Sequence, residues 1–328
     1  MRVTELEKRI YLGYLATKED ALSLLLEPLD ELCKAADRIR MHFCGNRFDI
    51  CTIVNAKSGR CSEDCKYCAQ SVHYRTEIEE YPLLDADTLV SHAIRYASRG
   101  VLRYSIVTSG RALDKDEIAS LCQSIRKIKE SCPILVCVSA GLLQKEQYQM
   151  LLDAGAVRVH NNLETSERFF PHICTTHTVA DKIAAIRAAK AAGMQICSGG
   201  IIGLSETMED RIDLALTLRE LSVSSVPVNV LNPIPGTPLE CQPPLPYPEI
   251  RRTIAILRFL LPKAAIRLAG GRGLLPDKGK ACFLSGANAA ISGDMLTTSG
   301  ISIENDMELL AECGFVPGVL ECETPDAK

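Results

Sequence analysis

No apolar run in this chain is long enough to cross a bilayer. Its longest apolar stretches, such as Thr253 to Pro262, are short and interrupted by Arg258, which excludes a membrane-spanning helix of ordinary length. Nor is there an excess of charge of either sign. The net charge is −4 with 24% charged residues, so neither nucleic acid nor an anionic membrane is expected as a partner. The opening residues, Met1-Arg2-Val3-Thr4-Glu5-Leu6-Glu7-Lys8, lack the apolar core of a signal peptide, and a cytoplasmic location is expected. No low-complexity linker divides the chain, so its 328 residues suit one α/β barrel rather than two clear domains. The glycine fingerprint of dinucleotide sites is also missing, and NAD is not implied.

What is abundant is cysteine, with 15 in the chain. In a cell interior that number points to metal ligation rather than disulfides. The run Gly59-Arg60-Cys61-Ser62-Glu63-Asp64-Cys65-Lys66-Tyr67-Cys68 carries three of them at CxxxCxxC spacing. Three cysteines so placed can hold three corners of a four-iron four-sulfur (4Fe-4S) cluster and leave the fourth iron open. A zinc knuckle or a redox dithiol is the competing reading, but zinc favours four ligands in paired units and no second pair follows. The spacing, with the aromatic Tyr67 before the last cysteine, resembles the signature of the radical S-adenosylmethionine (SAM) superfamily. That resemblance makes Cys61, Cys65 and Cys68 the expected catalytic cluster ligands, with SAM on the open iron. Cys33, Cys122, Cys132, Cys174, Cys241, Cys282, Cys313 and Cys322 are assigned no role; several suit small buried hydrophobes.

Residues 1–42 read as a helical extension, in which Thr17-Lys18-Glu19-Asp20 resembles a capping box. From Asp49 onward β-rich runs alternate with amphipathic ones. Strands are predicted at Ile50–Ala56, Arg103–Ser109, Ile134–Ala140, Ala156–Leu163, Gln195–Gly203, Ser225–Leu231, Ala265–Ala269 and Asn288–Ser292. Helices are predicted between them at Asp87–Ser98, Asp114–Lys129, Val179–Ala192, Thr207–Leu221 and Glu249–Leu260. Eight β/α repeats predict an α/β fold of the (β/α)8 TIM type over residues 43–300, a partial barrel being the alternative. A short helix (Ile303 to Cys313) and a polar tail occupy 301–328. The segment Pro233–Pro248, with seven prolines, cannot be a helix and follows a strand, so it is expected to rim the mouth of the barrel.

Strand side chains alternate between faces. Cys51, Ile53 and Asn55 share a face of the first strand, and Leu135, Cys137 and Ser139 one of the third. Cys197 and Gly199 do so in the fifth, and Ala265, Arg267 and Ala269 in the seventh. A buried arginine needs partners. Three strand cysteines with Arg267 make sense around a second, deeper cluster; the alternative is that the thiols are small core residues. In Val157-Arg158-Val159-His160-Asn161-Asn162-Leu163-Glu164, parity turns His160, Asn162 and Glu164 inward, a polar row suited to ligand recognition.

The segments Cys61–Ser71, Asn161–Ser166, Cys197–Thr207 and Arg267–Arg272 together resemble the biotin synthase family, in order and in register from about residue 40 to 315. The resemblance implies a homodimeric barrel that inserts sulfur between C6 and C9 of dethiobiotin, using two SAM-derived radicals and an auxiliary iron–sulfur cluster as sulfur source. It further implies a flavodoxin or ferredoxin as reductant and iron–sulfur assembly proteins as partners. The family's auxiliary ligands are three strand cysteines and an arginine, and Cys137, Cys197 and Arg267 match three of the four. The missing cysteine belongs to a second-strand triplet that here reads Arg103-Tyr104-Ser105. Serine is a poor ligand for iron, whereas Cys51 stands where the family commonly has serine. Cys51 is therefore expected to replace it, with Cys44 as runner-up, in a variant branch whose auxiliary cluster is 2Fe-2S or larger.

By the same resemblance Tyr67, Asn162, Glu164, Lys182 and Ile201 meet SAM: Asn162 and Glu164 at the ribose, Lys182 at the carboxylate, Ile201 at adenine. His160, Asn162 and Asn229 meet dethiobiotin, although His160 replaces a family asparagine. Read without the family, inward asparagines also fit satisfied polar core groups, and Lys182 a solvated helix lysine. Two other classes of function compete. One is a radical SAM barrel of the hydrogenase-maturation or pyrrolysine-synthesis type, which has no need of Cys51, Cys137, Cys197 and Arg267 together. The other is a non-enzymatic iron–sulfur redox sensor, which has no need of a polar barrel lining.

Overall fold

Capping residues and glycine turns divide the chain into short alternating elements. The computed structural model describes residues 3–320; most of the expected polar tail, 321–328 with Cys322, lies outside the described residues. Three helices come first, α1 (Val3–Tyr11), α2 (Lys18–Ser23) and α3 (Leu29–Cys44). The predicted capping box is formed, Thr17 and Asp20 each bonding the other's backbone N–H.

The barrel follows as β1 (Arg47–Lys57), α4 (Ala86–Ala97), β2 (Arg103–Thr108), α5 (Lys115–Ser131), β3 (Leu135–Ser139), α6 (Lys145–Asp153), β4 (Ala156–His160) and α7 (Val179–Ala191). It continues through β5 (Gln195–Cys197), β6 (Gly200–Ile202), α8 (Met208–Glu220), β7 (Ser225–Val230), α9 (Tyr247–Leu260), β8 (Ala265–Leu268), α10 (Lys280–Phe283) and β9 (Ala289–Ile291). Asp114, Thr178 and Thr207 start α5, α7 and α8 with reciprocal caps, each satisfying donors that the first helical turn leaves free.

All pairings around the sheet are parallel, and β9 returns to β1 through Asp49↔Ala289 and Cys51↔Ile291. With β5 and β6 as halves of one strand, this is the expected closed eight-stranded (β/α)8 barrel. The fifth strand was expected to be continuous from Gln195 to Gly203 but is interrupted at Ser198–Gly199. Opposite the gap stands Pro227 of β7, which has no N–H for the ladder. A Cβ on Gly199 would lie 1.9 Å from the Pro227 carbonyl oxygen, so only glycine fits the approach.

Even-numbered residues of the early strands, such as Tyr104, Ile106, Val136 and Val138, pack outward against the helices as the main core. The lumen is different. Barrel interiors are ordinarily filled with branched apolar side chains, yet here Cys51, Arg103, Ser105, Cys137, Arg158, Cys197, Ser225 and Arg267 are all buried inside. A lumen of thiols and guanidinium groups needs a reason beyond packing.

After the barrel, α11 (Ile303–Glu312) and β10 (Val316–Pro317) close the described chain. β10 adds to the edge of β1 at Arg47 and Phe48, a two-residue pairing too short to predict. α11 is tied to the barrel by the bidentate buried pair Arg272–Asp306, at 2.6 and 2.7 Å. Breaking a buried pair from one side strands a charge. Asp306→Ala is therefore expected to cost about 3–5 kcal/mol, read as a lower urea midpoint.

Candidate active site

The C-terminal ends of the strands open into a cavity of about 310 Å³, on the side where barrel active sites form. Cys61, Cys65 and Cys68 lie on the loop after β1 and line it with Tyr67. The loop is stiffened by its own backbone, with Cys68 N–H donating to Cys65 O (2.9 Å) and Cys61 N–H to Gln70 O (3.0 Å). Gln70 in turn accepts from Gly59 N–H. The proline-bearing segment packs against the same loop, since a Cβ on Gly236 would lie 1.9 Å from Arg75 O.

His160, Asn162, Glu164, Lys182 and Asn229 line this cavity as well. Lys182 is not a solvated helix lysine: it is buried in the first turns of α7, and its charge acts on both Glu164 and Cys65. Glu164 sits at φ 72°, a left-handed conformation that a non-glycine residue holds only when its surroundings impose it. Burial pushes its carboxyl pKa up, against the pull of Lys182 and hydrogen bonds from Tyr67 and Asn162. Its Oε2 has no hydrogen-bond partner. A buried carboxylate oxygen left unmatched is costly, and it fits a ligand bearing hydroxyl groups.

Asn162 Oδ1 accepts from Gly199 N–H at 3.2 Å. Asn229 bridges two strands, donating to Gly200 O (3.1 Å) and accepting from Gly270 N–H (2.9 Å). Part of each amide is thus engaged in structure while the residue still faces the cavity. Ile201 lines an adjoining recess that shares Tyr67 and Asn229 with the cavity.

Beneath the cavity lies the thiol-rich lumen. Cys51 packs with Ala269 and Ile291, which belong to the cavity lining. Its sulfur is 3.3 Å from Arg267 Nη1, and Arg267 Nη2 donates to Asp49 at 2.8 Å. Arg103 holds the other Asp49 oxygen, also at 2.8 Å. Burial pushes the Cys51 thiol up to about 12; Arg267 opposes this, while Asp49, Cys197 and Cys137 add to it. Arg267, Cys197 and Cys137 are thus near enough to bear on the ionisation of Cys51. At Cys137 burial also raises the pKa, but a hydrogen bond from His160 and the charges of Arg158 and Arg103 overcome it, and the net shift is downward. His160 Nε2 also meets Ser105 Oγ at 3.0 Å, so the ring reaches from the cavity to the thiols.

Cys44 is elsewhere. Its sulfur lies 3.8 Å from both the Pro262 and Lys263 carbonyl oxygens, and it packs with Ala265, Ala289 and Leu320 at the opposite end of the barrel.

The donor chemistry fits two iron–sulfur groups: soft thiolates suit iron–sulfur clusters, and arginines beside the inner thiols favour their anionic form. The unmatched Glu164 oxygen, above, fits the ligand of the outer group.

Residues 56–218 match the model of the radical SAM superfamily, and residues 227–316 that of the Biotin and Thiamin Synthesis associated domain. The chain is 56% identical over 313 residues to a biotin synthase of Clostridium botulinum, covering 95% of this chain and 98% of the relative. It is 57% identical to biotin synthase 2 of Corynebacterium diphtheriae, covering 95% of each. The chain belongs to the biotin synthase family. Membership of the biotin synthases implies a 4Fe-4S cluster with SAM and an auxiliary iron–sulfur cluster. The crystal structures of methylornithine synthase (TM-score 0.83, 21% identity, 96% and 97% of the two chains covered) and of the FeFe-hydrogenase maturase from Carboxydothermus hydrogenoformans (0.83, 16%, 98% and 80%) share the fold. The competing radical SAM classes are thus neighbours in fold, while the biotin synthases are neighbours in sequence.

One neighbour of the biotin synthase site is a cysteine to which the sequence gives no role. Cys174, on the loop before α7, brings its sulfur to 3.8 Å from that of Cys65. Its pKa is lowered to about 6, chiefly by the hydrogen bond from Cys65, against burial. Cys174-Thr175-Thr176-His177 has the spacing of a ligand pair, the one sequence signal that could have marked it.

Proposed function

We propose that this chain is a biotin synthase that converts dethiobiotin to biotin by inserting sulfur between C6 and C9. The observation that carries the reading is the stacking of two thiol sets in one barrel, Cys61, Cys65 and Cys68 at the mouth and Cys51, Cys137 and Cys197 with Arg267 below. When bound, the outer cluster supplies the electron that cleaves SAM to a 5′-deoxyadenosyl radical, and the auxiliary cluster supplies the sulfur.

The residues between the two sets would orient the reactants. Cys61, Cys65 and Cys68 would hold three irons and leave one open for SAM. Asn162 and the unmatched Glu164 oxygen would take the ribose hydroxyls, Lys182 the carboxylate, and Ile201 the adenine beside Tyr67. Asn162, Asn229 and His160 would seat the ureido ring, pointing C9 and C6 at the path between the metal sites. The closed wall excludes water, which keeps a reactive radical on its target. Cys51 would take the place of the second-strand ligand. A flavodoxin or ferredoxin donor, assembly proteins, a second copy of the chain and a cytoplasmic setting complete the reading. No helix among the described residues is long and apolar enough to cross a membrane.

Anaerobic incubation with SAM, reductant and dethiobiotin should yield both 5′-deoxyadenosine and biotin; the nucleoside without biotin would overturn the assignment. Glu164→Gln is expected to weaken SAM binding about tenfold to a hundredfold, the equivalent of losing about 1.5–3 kcal/mol from a charged hydrogen bond. Equilibrium titration of cluster-loaded protein with SAM checks this.

A further inference from the structure

Among the described residues, one group of cysteine, histidine and carboxylate donors is close enough to hold a single metal ion. It comprises Cys65, Cys174 and His177, whose ligand atoms lie within 4.8 Å of one another. Cys61 and Cys68 are not part of it. A cluster of several irons spreads its ligand sulfurs, whereas a mononuclear ion draws them together.

The spacings can be compared with a tetrahedral ion. Zinc–sulfur bonds of about 2.3 Å and zinc–nitrogen bonds of about 2.0–2.1 Å put two sulfurs about 3.8 Å apart and sulfur and nitrogen about 3.6 Å apart. The Cys65 and Cys174 sulfurs are 3.8 Å apart. Cys174 Sγ is 3.3 Å from His177 Nδ1 and 3.8 Å from Nε2. His177 Nδ1 meets Glu63 Oε2 at 2.6 Å, the carboxylate–histidine arrangement that orients a metal-binding imidazole and leaves Nε2 for the ion. Asp64 Oδ1 accepts from Cys174 Sγ at 3.2 Å and from the Thr175 and Thr176 N–H groups, which holds the Cys174 loop in place. Cys174, His177 and Glu63 are all buried. The two loops that carry the group are joined by Lys66 N–H to Ile173 O at 2.9 Å, which holds their backbones together.

We propose that cluster-free protein binds one thiophilic divalent ion of the zinc class at Cys65, Cys174 and His177, and that this ion and the outer cluster exclude each other. Binding releases the thiol protons to solvent and forms two metal–thiolate bonds and one metal–imidazole bond. Exclusion follows because Cys65 cannot serve both; that part rests on reading Cys65 as a cluster ligand, whereas the binding site does not.

The probe is cobalt(II), added anaerobically to metal-free C61A/C68A protein, which keeps the three proposed ligands. One equivalent should give the ligand-field bands of a tetrahedral cobalt–thiolate site. Adding C174A or the milder C174S should abolish them, and E63Q should weaken binding about 10–100-fold. Cobalt at the inner thiols would contribute equally with and without Cys174, so the difference spectrum isolates this site. In wild-type protein, one equivalent of zinc given before iron and sulfide should reduce iron uptake, and C174S should relieve the block. Bands unchanged in both Cys174 variants would overturn the site. Zinc that leaves iron uptake untouched, with the bands present, would overturn only the competition.

Discussion

Single replacement of Cys61, Cys65 or Cys68 by alanine is expected to take 5′-deoxyadenosine formation to background, the largest change expected at the mouth of the barrel. Each thiol sits on one tightly hydrogen-bonded loop and lines the same cavity. Losing one would therefore remove a ligand from the geometry that this loop fixes. Serine should serve no better, because a hydroxyl is a poor donor to iron beside thiolate. The triple variant C61A/C65A/C68A separates the two metal sites. The inner thiols are buried in the lumen and make no contact with that loop among the interactions described above. The triple variant should therefore still bind iron and sulfide after anaerobic reconstitution. Iron content that falls to zero would mean that the inner set does not hold a cluster by itself.

Much of this organisation is legible in the chain because both of its periods are short. Eight β-rich runs at regular intervals give the barrel, and alternation within each run places Cys51, Cys137, Cys197 and Arg267 on the lumenal face. The interruption at Gly199 was less accessible, since it depends on Pro227 of the neighbouring strand, one helix further along the chain, rather than on the local pattern. Lys182 looked equally suited to solvent because α7 is rich in alanine and has little amphipathic character; its burial follows from the position of that helix's first turns at the mouth. Cys174 is hidden in the sequence for a related reason. It approaches Cys65 across 109 residues, and no single-sequence spacing reports such a contact. Family resemblance supplied what spacing could not, namely which inward polar residues to associate with SAM and which with dethiobiotin.

Cys51→Ala is expected to separate the two halves of the chemistry: SAM cleavage continues, while biotin formation falls to background and auxiliary iron is lost. The sulfur of Cys51 lies 3.3 Å from Arg267 Nη1 and is coupled to Cys137 and Cys197, so its removal leaves a three-sided site with a buried guanidinium. Cys44→Ala makes the control, because that thiol lies against the Pro262 and Lys263 carbonyls at the far end of the barrel and its loss should leave auxiliary iron unchanged. The register of the strands permits a sharper test. Ser105 pairs directly with Cys137 on one side and with Ile53 on the other, and it faces the same lumen one strand over from Cys51. If the ligand has moved between strands, Ser105→Cys in the Cys51→Ala background should return auxiliary iron and part of the biotin yield. Recovery of iron without biotin would mean that the ligand count is met but the sulfur is misplaced relative to the substrate. Undiminished auxiliary iron in the Cys51→Ala protein itself would remove Cys51 from the ligand set altogether.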